Sequence, residues 1–240
     1  MIYCPHRDDY DEILENASID LNDDTDGSAN RVRLRMGVYS NVDKSIDIER
    51  RFDRAKMASD SVRGSFTKTI GVYDNLLHKQ DIYNEQLIED FSTAIEEHQF
   101  QVFYQPKFDI CPDTPILAGA EALVRWQSPE LGFMPPNSFI PLFERNNFVI
   151  KLDFYVYEEV FKFLRKCMDG GEPVVPVSVN MSRNHDKPER FVHDFTALLK
   201  KYDVPPALVE VELLERSSMD KNILREVTLM LQKEGFKVAM

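Results

Sequence analysis

Cysteine is scarce in this sequence. Its three residues, Cys4, Cys111 and Cys167, lie far apart and form no CxxC pair. An odd, scattered set excludes a disulfide framework and a cysteine-rich zinc site, and it suits a reducing compartment. Long apolar runs are missing as well. The segment Met1-Ile2-Tyr3-Cys4-Pro5-His6-Arg7 has no apolar h-region and meets acid at Asp8. No stretch approaches the roughly 20 apolar residues that cross a bilayer. The expectation is a soluble, cytoplasmic chain with no membrane segment. Basic charge is in deficit too: 29 Lys and Arg stand against 41 Asp and Glu, a net charge of −12. That excludes a protein that coats DNA or RNA through a basic surface. A phosphate-bearing small ligand stays open, because a metal ion can reverse the sign of an acidic site. What the sequence does have is core material. With 43% hydrophobic residues in 240, it can bury one large domain or two smaller ones.

Charge is unevenly distributed along the chain. Residues 8–30 hold nine acidic side chains and no Lys or Arg, whereas residues 31–68 hold ten basic against five acidic. Asn22-Asp23-Asp24-Thr25-Asp26-Gly27 opens like a calcium loop. Its twelfth position, where a bidentate Glu belongs, is Arg33, so a solvated turn is expected. Val32, Leu34, Met36 and Val38 alternate with Arg31, Arg33, Arg35 and Gly37, the period of a half-buried strand. The arginines then read as the solvent face of a sheet, with a phosphate-binding stripe as the alternative. Residues 46–61 have helical spacing, with Ile48, Phe52, Ala55 and Ala58 on one side, and 66–73 read as a strand. Residues 81–98 carry Leu87, Ile88, Phe91, Ala94 and Ile95 at helical spacing, a connecting helix that sets a domain boundary near residue 80.

Beyond it, strands alternate with helices, the signature of an α/β domain. Strands are expected at 101–105, 117–124, 174–180, 209–213 and 236–240, and helices at about 138–146, 152–168, 188–201 and 220–234. Phe154, Tyr157, Phe161 and Leu164 form a core stripe. His6, His78, His98, His185 and His193 show no metal-ligand spacing and are assigned to the surface.

Three oxygen-donor side chains interrupt apolar strands. Glu121 lies in Ala118-Gly119-Ala120-Glu121-Ala122-Leu123-Val124-Arg125-Trp126, Asn180 ends Val177-Ser178-Val179-Asn180, and Glu212 lies in Val209-Glu210-Val211-Glu212-Leu213. A bare carboxylate inside a barrel is costly unless it is paired or coordinates a cation. Two carboxylates and an amide, without Cys or His, suit Mg²⁺ or Mn²⁺ rather than Zn²⁺. Salt-bridged structural carboxylates accommodate the same spacing. Asn180 and Glu212 fall at or near the carboxyl ends of their strands, where (β/α) barrels build chemistry.

Glu121-Ala122-Leu123-Val124-Arg125-Trp126 resembles the signature of EAL domains, bacterial phosphodiesterases that open cyclic di-GMP. Further likenesses follow in the family's order. Tyr104-Gln105-Pro106 resembles its first-strand YQP, and Phe139-Ile140-Pro141 with Glu144 its FIP…E segment. Ser178-Val179-Asn180-Met181-Ser182 resembles its SVNxS, and Glu212-Leu213-Leu214-Glu215 its ExTE. Residues 31–74 are more loosely similar to the carboxyl-terminal half of a GGDEF domain, the diguanylate cyclase module. The GGDEF loop itself is absent, so no cyclase activity is expected.

The resemblance implies an α/β fold: an incomplete TIM-like (β/α) barrel of the EAL type, about five of eight strands, over residues 99–240. A GGDEF-like α+β remnant over 1–80 and the linker helix over 81–98 would precede it. The resemblance further implies that Glu121, Asn180 and Glu212 ligate metal, Mg²⁺ or Mn²⁺, in a two-metal site. Arg125 would hold a substrate phosphate through charge-assisted hydrogen bonds. Gln105 and Leu123 would line the nucleotide pocket, and Glu215 would orient ligands from behind. The implied reaction is hydrolysis of cyclic di-GMP to linear pGpG by a metal-activated water.

Departures from the family shape the expectation. Leu214 stands where the family has threonine, and the family's Asp-Asp pair, later Lys and later Glu do not occur before Met240. Two carboxylates fall short of neutralising two divalent cations. The chain is therefore expected to be a truncated piece of a composite GGDEF–EAL signalling protein. Alone it should be inactive, its catalytic residues incomplete, and open sheet edges should favour association, a homodimer included. A non-catalytic cyclic di-GMP receptor or protein-interaction module is the competing expectation. Arg125 beside Trp126 also has a packing alternative, a cation–π pair at the barrel rim.

Overall fold

The structure, a computed structural model, describes residues 9–16, 34–65, 67–111, 113–213 and 221–239. The chain divides into two units, Met1–Gln86 and Leu87–Met240. The acidic turn expected at residues 22–27 lies outside the described residues.

In the first unit, helix α1 (Tyr10–Asn16) is followed by strand β1 (Met36–Val38), helix α2 (Ile48–Ser61) and strand β2 (Ile70–Val72). β1 and β2 are parallel, with Met36 beside Ile70 and Val38 beside Val72. Each strand presents a glycine to the helix above it. A Cβ at Gly37 would stand 1.8 Å from the Ala55 carbonyl oxygen, and one at Gly71 1.8 Å from that of Ala58. Only glycine lets backbone approach backbone this closely.

This packing corrects the expected inner face of α2. Ala58 is buried, but Ile48 and Phe52 are 59% and 47% exposed, and Arg54 turns inward in their place. Its guanidinium lies over the rings of Tyr39 and Tyr73, 5.5 and 5.4 Å from their centroids. It donates to the Tyr39 hydroxyl at 2.9 Å and pairs with Asp81 at 3.5 Å. A cation–π and ion-pair pocket, rather than an aliphatic stripe, holds this helix. α2 starts two residues later than its spacing suggests because Asp47 caps it, accepting from the Arg50 amide at 2.8 Å.

Helix α3 (Asn75–Glu96) likewise begins at a cap rather than at residue 81. The Asp74 carboxylate accepts from the amides of Leu76 and Leu77 at 3.0 and 2.9 Å. From Leu87 onward the helix contributes Leu87, Phe91 and Ala94 to the core of the second unit.

That unit comprises β3 (Phe100–Asp109), β4 (Ile116–Ser128), β5 (Gly132–Met134), α4 (Ile140–Arg145), α5 (Phe148–Asp169), β6 (Val177–Met181), α6 (Pro188–Lys201), β7 (Val209–Leu213), α7 (Lys221–Lys233) and β8 (Lys237–Ala239). Among the described residues its strands form one sheet in the order β3-β4-β6-β7-β8, with β5 paired to β4. β4, β6, β7 and β8 are parallel. β3 runs antiparallel to β4, so the unit opens with a hairpin before the β–α alternation starts. The strand expected at 209–213 has those bounds, whereas those at 101–105 and 117–124 extend to ten and thirteen residues because they pair with each other. Nothing in the sequence pattern predicts β5. A tight turn places it, with Ser128 Oγ accepting from the amides of Glu130 and Leu131 at 3.3 and 3.1 Å.

Alternation sorts each strand. Val177, Val179 and Met181 of β6 and Val209, Val211 and Leu213 of β7 are at most 3% exposed, on the side that carries the helices. An aromatic cluster extends this layer. Trp126 is fully buried, donates its indole N–H to Gln99 Oε1 at 3.0 Å and lies 4.9 Å from the Phe100 ring. Phe143 touches Phe91, Phe100, Trp126 and Phe139. Rings of this size contribute roughly 1.5–3 kcal/mol each on burial. No described helix is long and apolar enough to cross a membrane.

Phe143→Ala is expected to lower the unfolding free energy by about 3–5 kcal/mol through the cavity it leaves. Urea denaturation followed by the fluorescence of Trp126, the one tryptophan of the chain, measures it.

Candidate functional site

The alternation that buries the valines puts a polar row on the opposite face. Gln105 of β3 lies directly across from Glu121 of β4. Glu121 sits beside Ser178 of β6, Ser178 beside Glu210 of β7, and Asn180 beside Glu212. Residues paired in register project to the same side, and so do residues two apart on one strand. Gln105, Lys107, Glu121, Leu123, Arg125, Ser178, Asn180, Glu210 and Glu212 therefore share one face.

Contacts on that face fall into two groups, one around Asn180 and one around Lys107. Asn180 Nδ2 donates to Glu121 Oε1 at 3.2 Å. That bond turns one side of the amide toward Glu121 and leaves the amide oxygen as the atom able to ligate a hard cation. Lys107 Nζ forms an ion pair with Glu212 and donates to Ser178 Oγ at 2.8 Å. Ser178 in turn donates to Glu210 Oε2 at 2.6 Å. The Glu212 and Glu210 side chains are 23% and 28% exposed, so the face is partly open to water. Lys107, Ser178 and Glu210 were not singled out from the sequence. The signal was available, since each lies two residues from a predicted member of the row.

Asn180 is held from behind by helix α5. Tyr157, fully buried, donates its hydroxyl to the Asn180 carbonyl at 3.0 Å. Burial, with the nearby Asp153 carboxylate, pushes its pKa well above the usual phenol value, which keeps it a donor. The loop after β6 is pinned to the same helix. Asp153 accepts from the Ser182 amide at 3.2 Å and pairs with His185 Nε2 at 2.8 Å. His185 is 6% exposed, which corrects its assignment to the surface: Asp153 supplies the partner that lets imidazole enter the core. Glu144, of the FIP…E segment, serves this loop through an ion pair with Arg183 at 2.9 Å.

Arg125 does not pack on Trp126. Neighbours in a strand face opposite sides, so Trp126 enters the aromatic layer while the Arg125 guanidinium lies 6.0 Å from the Phe103 ring on the open face. It also donates to the Val124 carbonyl at 2.8 Å. Leu123, in register with Phe103, extends this apolar surface, and Gln105 stands exposed beyond it. Leu214 and Glu215 lie outside the described residues.

The donor set of Glu121, Asn180 and Glu212 fits a hard cation such as Mg²⁺ or Mn²⁺ in kind. It contains two carboxylates, and among the described residues no group of three or more His, Cys, Asp or Glu is placed to hold a metal ion.

Residues 88–240 match the family model described as the EAL domain. The chain is 30% identical over 134 residues to the bifunctional diguanylate cyclase/cyclic di-GMP phosphodiesterase MucR of Pseudomonas aeruginosa, covering 56% of this chain and 19% of that protein. It is 30% identical over 128 residues to the cyclic di-GMP phosphodiesterase RocR of the same organism, covering 53% and 32% respectively. The chain thus spans less than a third of each of these curated relatives. Among solved structures, the MucR phosphodiesterase in its c-di-GMP complex superposes with a TM-score of 0.57 at 26% identity, over 64% of this chain and 62% of that one.

Tyr157→Phe leaves the Asn180 carbonyl without its donor. The expected loss is about 1–2 kcal/mol of stability, the cost of one unmet buried acceptor. Chemical denaturation of the two proteins side by side tests this, and an unchanged midpoint would remove Tyr157 as the anchor of β6.

Proposed function

The chain belongs to the EAL domain family, and from that premise we propose that its polar sheet face is one side of a site for cyclic di-GMP. The observation that carries this reading is the gathering of Glu121, Asn180 and Glu212 on adjacent strands, with Asn180 bonded to Glu121 and in register with Glu212. Glu121, the Asn180 amide oxygen and Glu212 are the ligands for Mg²⁺ or Mn²⁺. When bound, such ions supply a water acidic enough to attack phosphorus. Arg125 takes a phosphate oxygen, held at its position by the Val124 carbonyl and the Phe103 ring. Leu123 and Phe103 give a flat apolar surface for a nucleobase, and Gln105 at its edge offers an amide for polar contact. Glu215 remains a candidate for orienting the ligands.

The activity this reading assigns to the domain is that of a composite signalling phosphodiesterase, which opens cyclic di-GMP to linear pGpG. The loose GGDEF likeness of residues 31–74 supports an upstream module of that kind. Glu121 and Glu212 carry two negative charges against the four of a divalent pair. The 240-residue chain by itself is therefore inactive in hydrolysis. The runner-up, a non-catalytic receptor, keeps the nucleotide contacts of Gln105, Leu123 and Arg125 and dispenses with the water.

Incubated with cyclic di-GMP and Mg²⁺ or Mn²⁺, the purified chain is expected to release no pGpG detectable by chromatography. Calorimetric titration with Ca²⁺ present should give binding weaker than micromolar, reduced at least tenfold further by Arg125→Ala, the scale of a lost charge-assisted bond. Release of pGpG would overturn the inactivity. Micromolar binding that depends on Arg125 would move the assignment to the receptor.

A further inference from the structure

Lys107 has no part in the ligand reading above, yet it makes more polar contacts on this face than any residue assigned to it. It projects from β3 where the register with β4 shifts, between Lys107 and Phe108. Directly opposite on β4 is Gly119, which has no side chain to fill the face above that strand. The lysine reaches across the gap to Ser178 on β6 and Glu212 on β7. β3 and β7 are separated by two strands, about 14 Å along a flat sheet. Side chains standing on a flat sheet would not meet over that span, so the contact also reports that the sheet curls toward this face.

Donors and acceptors around the ammonium are consistent. Nζ donates to Ser178 Oγ at 2.8 Å, which leaves the serine proton for Glu210 Oε2 at 2.6 Å. Nζ lies 3.8 Å from that same Glu210 oxygen. One ammonium therefore serves Glu212 directly and Glu210 both directly and through the serine. Ser178 is 2% exposed, so this link is built into the sheet. Among the described residues, Lys237 of β8 is a second lysine in register with the row, beside Glu210 and exposed.

We infer that Lys107 is the resident cation of this face, a positioning residue that engages Glu212 and must release it before Glu121, Asn180 and Glu212 can hold a divalent ion. The inference rests on the ligand assignment proposed above. An ammonium and a divalent cation compete for the same carboxylate oxygens, and the lysine stem is long enough to swing toward solvent on release. Lys107 thereby sets how much free metal the site requires, without touching phosphorus or the attacking water.

The test is a titration of the 240-residue chain with Mn²⁺ alone, reading free Mn²⁺ by electron paramagnetic resonance. Lys107→Met keeps the stem and removes the charge. It is expected to tighten Mn²⁺ binding about tenfold, the scale of one charge acting over a few ångström at a half-exposed site. Lys107→Arg should stay at the wild-type affinity, and adding Glu212→Gln to Lys107→Met should abolish the gain. Lys107→Gln, with circular dichroism on every variant, guards against a folding defect.

A lysine that only braced the sheet would weaken binding when removed. Equal or weaker binding in both Lys107→Met and Lys107→Gln overturns the inference. If Glu212→Gln still weakens binding in that case, the ligand assignment stands without it. Binding indifferent to Glu212→Gln throughout removes the ligand assignment and the inference together. Absence of binding in every variant also overturns the inference, because removing the competitor should unmask the site.

Discussion

A β-strand shows alternate residues to opposite sides, and the second unit depends on keeping those two sides chemically distinct. On one side, valines from β6 and β7 and the aromatic group around Trp126 meet α5, α6 and α7 and supply the hydrophobic stabilisation. On the other, the same strands carry Glu121, Ser178, Asn180, Glu210 and Glu212. A slip of one residue in any register would bury carboxylates against helices and expose valine, so fold and site are specified by one pattern. This also explains how so many charges can be gathered here: the core lies wholly on the other face.

The weak point of such a sheet is where a short strand must deliver a side chain at a fixed height. β6 has five residues and bears Asn180 near its end. Its position is set from outside the sheet, by Tyr157 on the Asn180 carbonyl and by Asp153 on the following amide and His185. Both anchors come from one helix, four residues apart and thus on one face of α5. A polar pair inside a core is costly unless each member is satisfied, and here each is.

The sequence made the architecture of the second unit readable because its strands are bounded by Pro and Gly and alternate cleanly. The positions of Glu121, Asn180 and Glu212 on those strands were readable for the same reason. Other features were not, among them strand β5 and the buried His185. Helices α2 and α3 start just after Asp47 and Asp74, because a capping bond outweighs the apolar spacing. The inner face of α2 is not legible in its spacing, because an arginine held between two tyrosines takes the inward place of Ile48 and Phe52, a tertiary fact. Lys107 is not legible in the sequence because its partners are 71 and 105 residues away, a distance that no local pattern spans.

That long-range contact bears on how the face behaves as water leaves it. Glu121, Glu210 and Glu212 share the row with one ammonium held in their midst and one exposed at its edge, so the carboxylates rely on hydration for part of their stabilisation. Anything that encloses the face removes that hydration and raises the cost of leaving charge uncompensated. Enclosure and cation binding must then favour each other, and by reciprocity a bound cation makes enclosure easier by the same free energy. Lys107 lowers the cost of the empty state, and with it the strength of this coupling. On the inference drawn above, a cation that enters this face must carry charge enough to displace a lysine.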